Sequence, residues 1–170
     1  MEEMASRIRL LVLDVDGVMT DGRIILNERG EETKHFNAKD GHGLKMLVDA
    51  GIDVAIITGR RSGAVETRAK ELGIRDVSQG VKDKSFHLAS IIQGKALKKD
   101  QVCVVGDDLP DLPMFREAGM AVAVADAAVE VREAANLITK NRGGGGAVRE
   151  VCELIMKAQN LWPSQANSTR

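Results

Sequence analysis

Four short apolar runs punctuate the chain: Ile8 to Leu13, Val54 to Ile57, Val102 to Val105 and Met120 to Val124. Each is continuous rather than alternating, the pattern of a strand buried on both faces of a parallel sheet. Between them, Leu44 to Ala50, Ala64 to Leu72, Lys84 to Ile92 and Leu112 to Ala118 carry apolar residues at helical spacing. Strand and helix therefore alternate, which predicts an open parallel α/β sheet with right-handed crossovers and helices on both faces.

One segment breaks the alternation. Arg23 to Leu26 and Glu32 to Phe36 read as strands around the turn-forming Asn27-Glu28-Arg29-Gly30, which predicts a β-hairpin inserted after the first strand. Near the other end, the glycine-rich Arg142 to Gly146 precedes a last helical segment, Val148 to Leu161. From Pro163 the chain turns polar, so a single domain is expected over 1–162 with a disordered tail at 163–170.

Composition narrows the function classes. In 170 residues, 25 acidic side chains nearly balance 24 basic ones, so no overall charge marks a nucleic-acid or membrane surface. The start, Met1 to Arg9, mixes charges and lacks the apolar core of a signal peptide, and no run reaches the ~18 apolar residues of a membrane span. Cys103 and Cys152 sit in apolar or amphipathic segments and read as buried, reduced thiols. These features together predict a cytoplasmic protein.

Candidate chemistry appears where the strands end. Ligands of an open α/β sheet bind beyond the carboxyl ends of its strands, and those ends carry Asp14-Val15-Asp16-Gly17, Thr58-Gly59-Arg60 and Gly106-Asp107-Asp108-Leu109-Pro110-Asp111. Any one of these acids could merely cap a helix. Together they place five carboxylates, a hydroxyl and a guanidinium at one crevice, where the acids repel one another unless a cation neutralises them. Mg²⁺, a hard ion that takes carboxylates, waters and phosphate oxygens, suits that set. Asp14 and Asp16 can project to one side as the strand ends, so that one attacks phosphorus while the other moves a proton.

Asp14-Val15-Asp16-Gly17-Val18-Met19-Thr20, Thr58-Gly59-Arg60, Lys84 and Gly106-Asp107-Asp108 resemble, in order and spacing, the four motifs of the haloacid dehalogenase superfamily. Within it, Thr20-Asp21-Gly22, the hairpin, Phe36 to Gly43, Ile56 to Arg60 and Arg142 to Glu150 resemble the capless 3-deoxy-D-manno-octulosonate 8-phosphate phosphatase family. The short interval from Thr58 to Gly106 leaves no room for a large cap domain. The resemblance implies a Rossmann-like core and a homotetramer acting on a small anionic sugar phosphate in lipopolysaccharide precursor synthesis.

It also implies roles. Asp14 would be the nucleophile that forms an aspartyl phosphate, and Asp16 the acid and then base. Mg²⁺ would be held by Asp14, the backbone carbonyl of Asp16 and Asp107, with Asp108 and Asp111 orienting its waters and Lys84. Thr58 and Lys84 would hold the phosphoryl oxygens. Substrate would meet Asn37, Ala38, Lys39, Asp40, Gly41, Lys45, Gly59, Arg60, Arg68 and Lys84, with Arg60 on the sugar carboxylate. Lys39 and Lys45 stand where the family pattern favours Arg, keeping the charge but not the bidentate fork. His42 reads as part of the crevice wall.

Two other readings compete. A phosphatase of a nine-carbon keto-sugar phosphate would share fold and chemistry, and the basic Arg60 favours the eight-carbon sugar. A receiver-type phosphoacceptor also gathers acids, a Thr and a Lys, but its phosphorylated Asp follows the third strand. For assembly, Ile24, Leu26 and Phe36 of the hairpin lack an evident partner inside one chain and are expected to meet other subunits. The glycine-rich stretch is then expected to reach a neighbouring crevice, with Arg142 or Arg149 adding charge.

Overall fold

The structure, a computed structural model, describes residues 1–163. All of the expected tail except Pro163 lies outside the described residues. A short helix, α1 (Glu2–Ser6), leads into β1 (Leu10–Leu13), which is buried along its whole length. The hairpin strands β2 (Ile25–Leu26) and β3 (Glu32–Thr33) pair antiparallel as a separate two-stranded sheet. Then α2 (Ala38–Asp49), β4 (Asp53–Thr58), α3 (Gly63–Leu72), β5 (Asp76–Gln79) and α4 (Lys84–Gly94) follow. The chain continues through β6 (Val102–Gly106), α5 (Leu112–Phe115), β7 (Met120–Ala123), α6 (Val129–Ala134), β8 (Leu137–Ile138) and α7 (Ala147–Ala158).

Six strands form one sheet in the order β5-β4-β1-β6-β7-β8, and every pairing is parallel. Right-handed crossovers put the helices of the left-going connections, α2 and α3, on one face and those of the right-going ones, α4 to α6, on the other. The first face also carries α7 and α1, which pack on α2 and on α7 respectively. Ile8, Leu10, Leu11, Leu13, Ile56, Ile57 and Met120 are fully buried in the layer between, each contributing on the order of 1.5–3 kcal/mol of transfer free energy.

The four apolar runs are the four central strands, while two edge strands, β5 and β8, were not expected. Their residues are only partly buried or exposed, so neither carries a continuous apolar run. The short α1 and α6 are likewise additions. The segment expected to be helical to Ala118 stays α-helical only to Phe115. Conversely, α2 begins six residues before its first apolar signal, because Asn37 caps it by accepting the N–H groups of Lys39 and Asp40. Between β1 and α2 there is only the hairpin, and between β4 and β6 only α3, β5, α4 and a single 3-10 turn (Lys99–Gln101), so no cap domain interrupts the core there. No helix among the described residues is long and apolar enough to cross a membrane.

Candidate active site

Strand order reverses beside β1: successive connections step outward through β4 and β5, then return to β6 and step outward through β7 and β8. The crevice at such a switch point, outside the carboxyl ends of the strands, is where an open α/β sheet binds ligands. Asp14 follows β1 there, its N–H donating to the Val105 carbonyl of β6 at 3.3 Å. The loop after it is tightly wound, with the N–H groups of Val18, Met19 and Thr20 all donating to the Val15 carbonyl. Buried Thr20 accepts the N–H groups of Gly17 and Gly22 at its hydroxyl. Gly17 itself has φ +90°, and a Cβ there would fall 2.0 Å from Asp107 Oδ2. Only glycine allows the Asp14 loop and the Asp107 loop to meet this closely.

Lys84 ties these loops together. Asp83 caps α4 by accepting the Phe86 N–H, which sets Lys84 as the first helical residue, where the helix dipole disfavours a cation. Two carboxylates offset that: Lys84 Nζ donates to Asp14 Oδ1 at 2.8 Å and to Asp111 Oδ1 at 2.7 Å. The other oxygen of Asp111, Oδ2, accepts the Asp107 N–H at 3.0 Å. Asp111 thereby holds Lys84 with one oxygen and the Asp107 loop with the other. Asp108 caps the turn Leu109–Asp111 through the Leu109 N–H.

One lysine does not balance these acids. Burial, with Asp111 nearby, pushes the Asp14 carboxyl up to about 6. Burial and then Asp111, Asp14 and Asp108 push Asp107 up to about 8. Carboxyl oxygens of Asp14, Asp107 and Asp111 lie within 4.8 Å of one another, so the cluster has the all-oxygen donors and the deficit of positive charge that suit a hard divalent ion. The arrangement fits Mg²⁺. Both Asp111 oxygens already accept hydrogen bonds, from Lys84 Nζ and the Asp107 N–H, so its carboxylate is engaged in holding the two loops.

Asp14, Asp16, Thr58, Gly59, Arg60, Lys84, Asp107, Asp108 and Asp111 line one cleft of about 350 Å³. Asp16 faces a different set of partners from Asp14. Lys34, from the hairpin, bonds its Oδ1, and Arg60 Nε lies 3.8 Å from its Oδ2. Glu32 joins Lys34 at 3.3 Å and Arg60 at 2.8 Å. Neither Lys34 nor Glu32 was singled out in the sequence, where a charged hairpin reads as solvated surface; the strand alternation that points Glu32 and Lys34 to the same side was the available signal.

The remaining expected substrate residues lie outside this cleft. Ala38 and Lys39 are exposed at the start of α2. Asn37 donates from Nδ2 to the Gly144 carbonyl at 3.3 Å. Buried Asp40 accepts the Arg149 N–H at 2.8 Å, serving the first turn of α7. Gly41 lies under the Arg68 guanidinium, which pairs with Glu71 at 3.1 Å. Lys45 pairs with Asp49 one helical turn on. His42 is exposed and does not line this cleft.

The glycine-rich stretch docks within its own chain. Gly144 N–H donates to the Val18 carbonyl at 3.0 Å and Gly143 N–H to Asp126 Oδ1 at 3.0 Å. A Cβ at Gly143 would lie 1.7 Å from the Gly17 carbonyl oxygen, so this strap presses directly on the loop after Asp14. Arg149 is drawn away from the cleft by Glu153 and the Trp162 ring. Phe36 packs against the core, whereas Ile24 and Leu26 stay 47 % and 57 % exposed.

Residues 74–151 match the model of haloacid dehalogenase-like hydrolases. The chain is 47 % identical to the 3-deoxy-D-manno-octulosonate 8-phosphate phosphatase of Yersinia pestis over 158 residues, covering 93 % of this chain and 84 % of that protein. Among solved structures, the phosphatase of that name from Moraxella catarrhalis, in complex with magnesium, phosphate and KDO, superposes with a TM-score of 0.91. It is 47 % identical, with 94 % of this chain and 91 % of the other covered. The cobalt-bound phosphatase from Haemophilus influenzae superposes with a TM-score of 0.89 at 37 % identity, with 92 % of each chain covered.

Proposed function

The chain belongs to the 3-deoxy-D-manno-octulosonate 8-phosphate phosphatase family of haloacid dehalogenase-like hydrolases, and we propose on that premise the division of labour by which it hydrolyses that sugar phosphate. The observation that carries the proposal is the convergence of Asp14, Asp107, Lys84 and Asp111 beside Asp16 at the β1–β6 switch point. Mg²⁺, when bound by Asp14, Asp107 and the Asp16 carbonyl, offsets the charge of the acids and of the phosphate dianion.

Lys84 holds Asp14 Oδ1, which leaves Oδ2 to attack phosphorus. The bond from phosphorus to the sugar oxygen breaks, Asp16 gives that oxygen a proton, and an aspartyl phosphate remains. Asp16, now a carboxylate, takes a proton from water. The resulting hydroxide attacks phosphorus, releases inorganic phosphate and restores Asp14. Thr58 and Lys84 bind the phosphoryl oxygens as charge shifts among them. Arg60 takes the carboxylate of the sugar acid, a planar anion suited to its fork.

Asn37 to Gly41, Lys45 and Arg68 complete substrate binding, in this reading, from a neighbouring subunit of a homotetramer. Exposed Ile24 and Leu26 on the hairpin favour such an assembly, since a two-stranded ribbon with apolar side chains in water has reason to pair. Two buried thiols, Cys103 and Cys152, and a phosphorylated substrate favour the cytoplasm, and the residues lining the cleft all fall within one domain taken over 1–162. Phosphate release measured side by side on the eight-carbon and nine-carbon keto-sugar phosphates tests the assignment. Preference for the eight-carbon substrate, abolished by chelator, is expected; a preference for the nine-carbon sugar would overturn the substrate, and full turnover in chelator the mechanism.

A further inference from the structure

The hairpin lysine is the least expected group beside the cleft. Lys34 follows β3, the second hairpin strand, and its side chain is only 2 % exposed, although the hairpin around it is largely in water. Its ammonium reaches across 18 residues of sequence to the Asp16 carboxylate. Glu32, two residues earlier on the same side of the strand, bonds Lys34 and Arg60 from one oxygen, Oε1. Asp16 is therefore held at both carboxylate oxygens, by Lys34 at Oδ1 and more loosely by Arg60 at 3.8 Å from Oδ2.

We propose that Lys34 is a positioning residue for the leaving-group chemistry, acting through Asp16 by fixing the rotamer of its carboxyl group so that Oδ2 is the oxygen presented to the sugar oxygen. This rests on the role given to Asp16 above. The physical case is geometric. An aspartate on a loop has free rotation about two side-chain bonds, and proton transfer requires one oxygen within hydrogen-bond reach of the departing oxygen. A buried ammonium anchored on a second carboxylate removes that freedom at Oδ1. Arg60 does not serve the same purpose, because its contact is longer and its guanidinium is assigned to the substrate carboxylate. Lys34 forms no covalent bond and transfers no proton in this scheme. It also gives the hairpin a part in catalysis within its own chain, independent of any contact with another subunit.

The test separates this role from substrate binding and from general damage to the site. Departure of a sugar alkoxide needs a proton, whereas p-nitrophenolate leaves without one. Lys34→Met should therefore lower kcat/KM for the sugar phosphate by at least about tenfold and change kcat/KM for p-nitrophenyl phosphate by less than about threefold. Inhibition by the free sugar acid should be unchanged. Equal loss on both substrates, no loss on either, or weakened inhibition by the sugar would each overturn the proposal. Lys34→Arg, which keeps a cation and is expected to restore part of the sugar-phosphate rate, gives the same comparison if the Met variant does not fold. Adding Lys34→Met to Asp16→Asn should cost nothing further on the sugar phosphate, and an additive loss would show that Lys34 acts elsewhere. Asp16→Asn alone tests the underlying reading: if it spares the sugar phosphate, the role of Asp16 itself is wrong.

Discussion

Lys84 Nζ donates to Asp14 Oδ1 at 2.8 Å across 70 residues of sequence, so Asp14 and the first residue of α4 form one buried unit. Burial alone would push the lysine down, but the charges of Asp14 and Asp111 outweigh it and hold the ammonium raised. Removing the cation leaves two buried acids facing each other.

Lys84→Met is accordingly expected to lower turnover by at least about a hundredfold, some 2.7 kcal/mol in the barrier. The melting temperature without metal should fall as well. Mg²⁺ should recover part of the melting temperature and little of the turnover, since it replaces charge but not the contact to the phosphoryl group. Thermal melts and phosphate release with and without Mg²⁺ check this, and a variant with wild-type turnover would remove Lys84 from the mechanism.

Asp14→Asn should abolish turnover, because an amide is a poor nucleophile, while leaving the metal-free melting temperature equal to or above that of the wild type. The stability expectation follows from burial: a carboxyl raised to about 6 is held in the fold at a cost when ionised. Phosphate release above about a hundredth of wild type, roughly 2.7 kcal/mol, would count against the nucleophile.

The acids also set a pH dependence. Asp107 is raised to about 8, whereas an unfolded Asp titrates near ~3.9. Between those values the folded chain binds more protons than the unfolded one, so without metal its stability falls as pH rises from about 4 to about 8. Mg²⁺ requires the ionised carboxylates, so its apparent affinity should strengthen over the same interval. The gain in melting temperature on adding Mg²⁺ should be larger at pH 8 than at pH 6; an equal gain would contradict the assignment of Asp107 as a ligand.

Gly17→Ala combines a positive φ with a Cβ placed 2.0 Å from Asp107 Oδ2. It is expected to cost on the order of 1–3 kcal/mol in stability and to weaken Mg²⁺ binding. Gly30→Ala is the control, having φ +75° but no atom near its added Cβ. It should lose roughly 1 kcal/mol with Mg²⁺ affinity intact. Equal Mg²⁺ affinity in the two variants, by thermal titration, would show that the Gly17–Asp107 approach does not matter to the metal.

Asp40 offers a test of how far a residue proposed to touch substrate also serves the fold. Asp40→Ala should cost about 0.5–2 kcal/mol, as for a lost helix cap, while Asp40→Asn, which keeps the acceptor for the Arg149 N–H, should melt nearly as the wild type. An Asn variant with an unchanged melting temperature but a KM raised tenfold would support direct substrate contact, and an unchanged KM would count against it.

The sequence shows most plainly what is buried on both faces or placed at a strand end. Leu10 to Leu13 and Val102 to Val105 announce central strands because every residue in them faces apolar layers, and the acids behind them follow from that register. Asp76 to Gln79 hides its strand because an edge position leaves its side chains half in water. Lys34 hides its role for a related reason: a lysine in a charged hairpin is indistinguishable from surface until the fold brings Asp16 over it. Asn37 and Asp40 look like members of a binding motif, and only the path of the chain more than a hundred residues later shows that they also hold Gly144 and Arg149.

The glycine-rich strap that rests on Gly17 and Val18 makes the order of chain synthesis relevant to catalysis. A ribosome that has delivered β1 and its acids has not yet delivered Gly143, Gly144 or the helix whose first turn Asp40 serves. The loop after Asp14 is therefore without its support until Gly144 has emerged, and shorter partial chains are expected to hold magnesium poorly even where β1, β4 and β6 have paired. Contacts so distant in sequence also form late in refolding, so recovery of the metal-dependent melting gain should lag behind recovery of helical circular dichroism. Competence for catalysis is in this sense acquired late, only when segments more than a hundred residues apart meet.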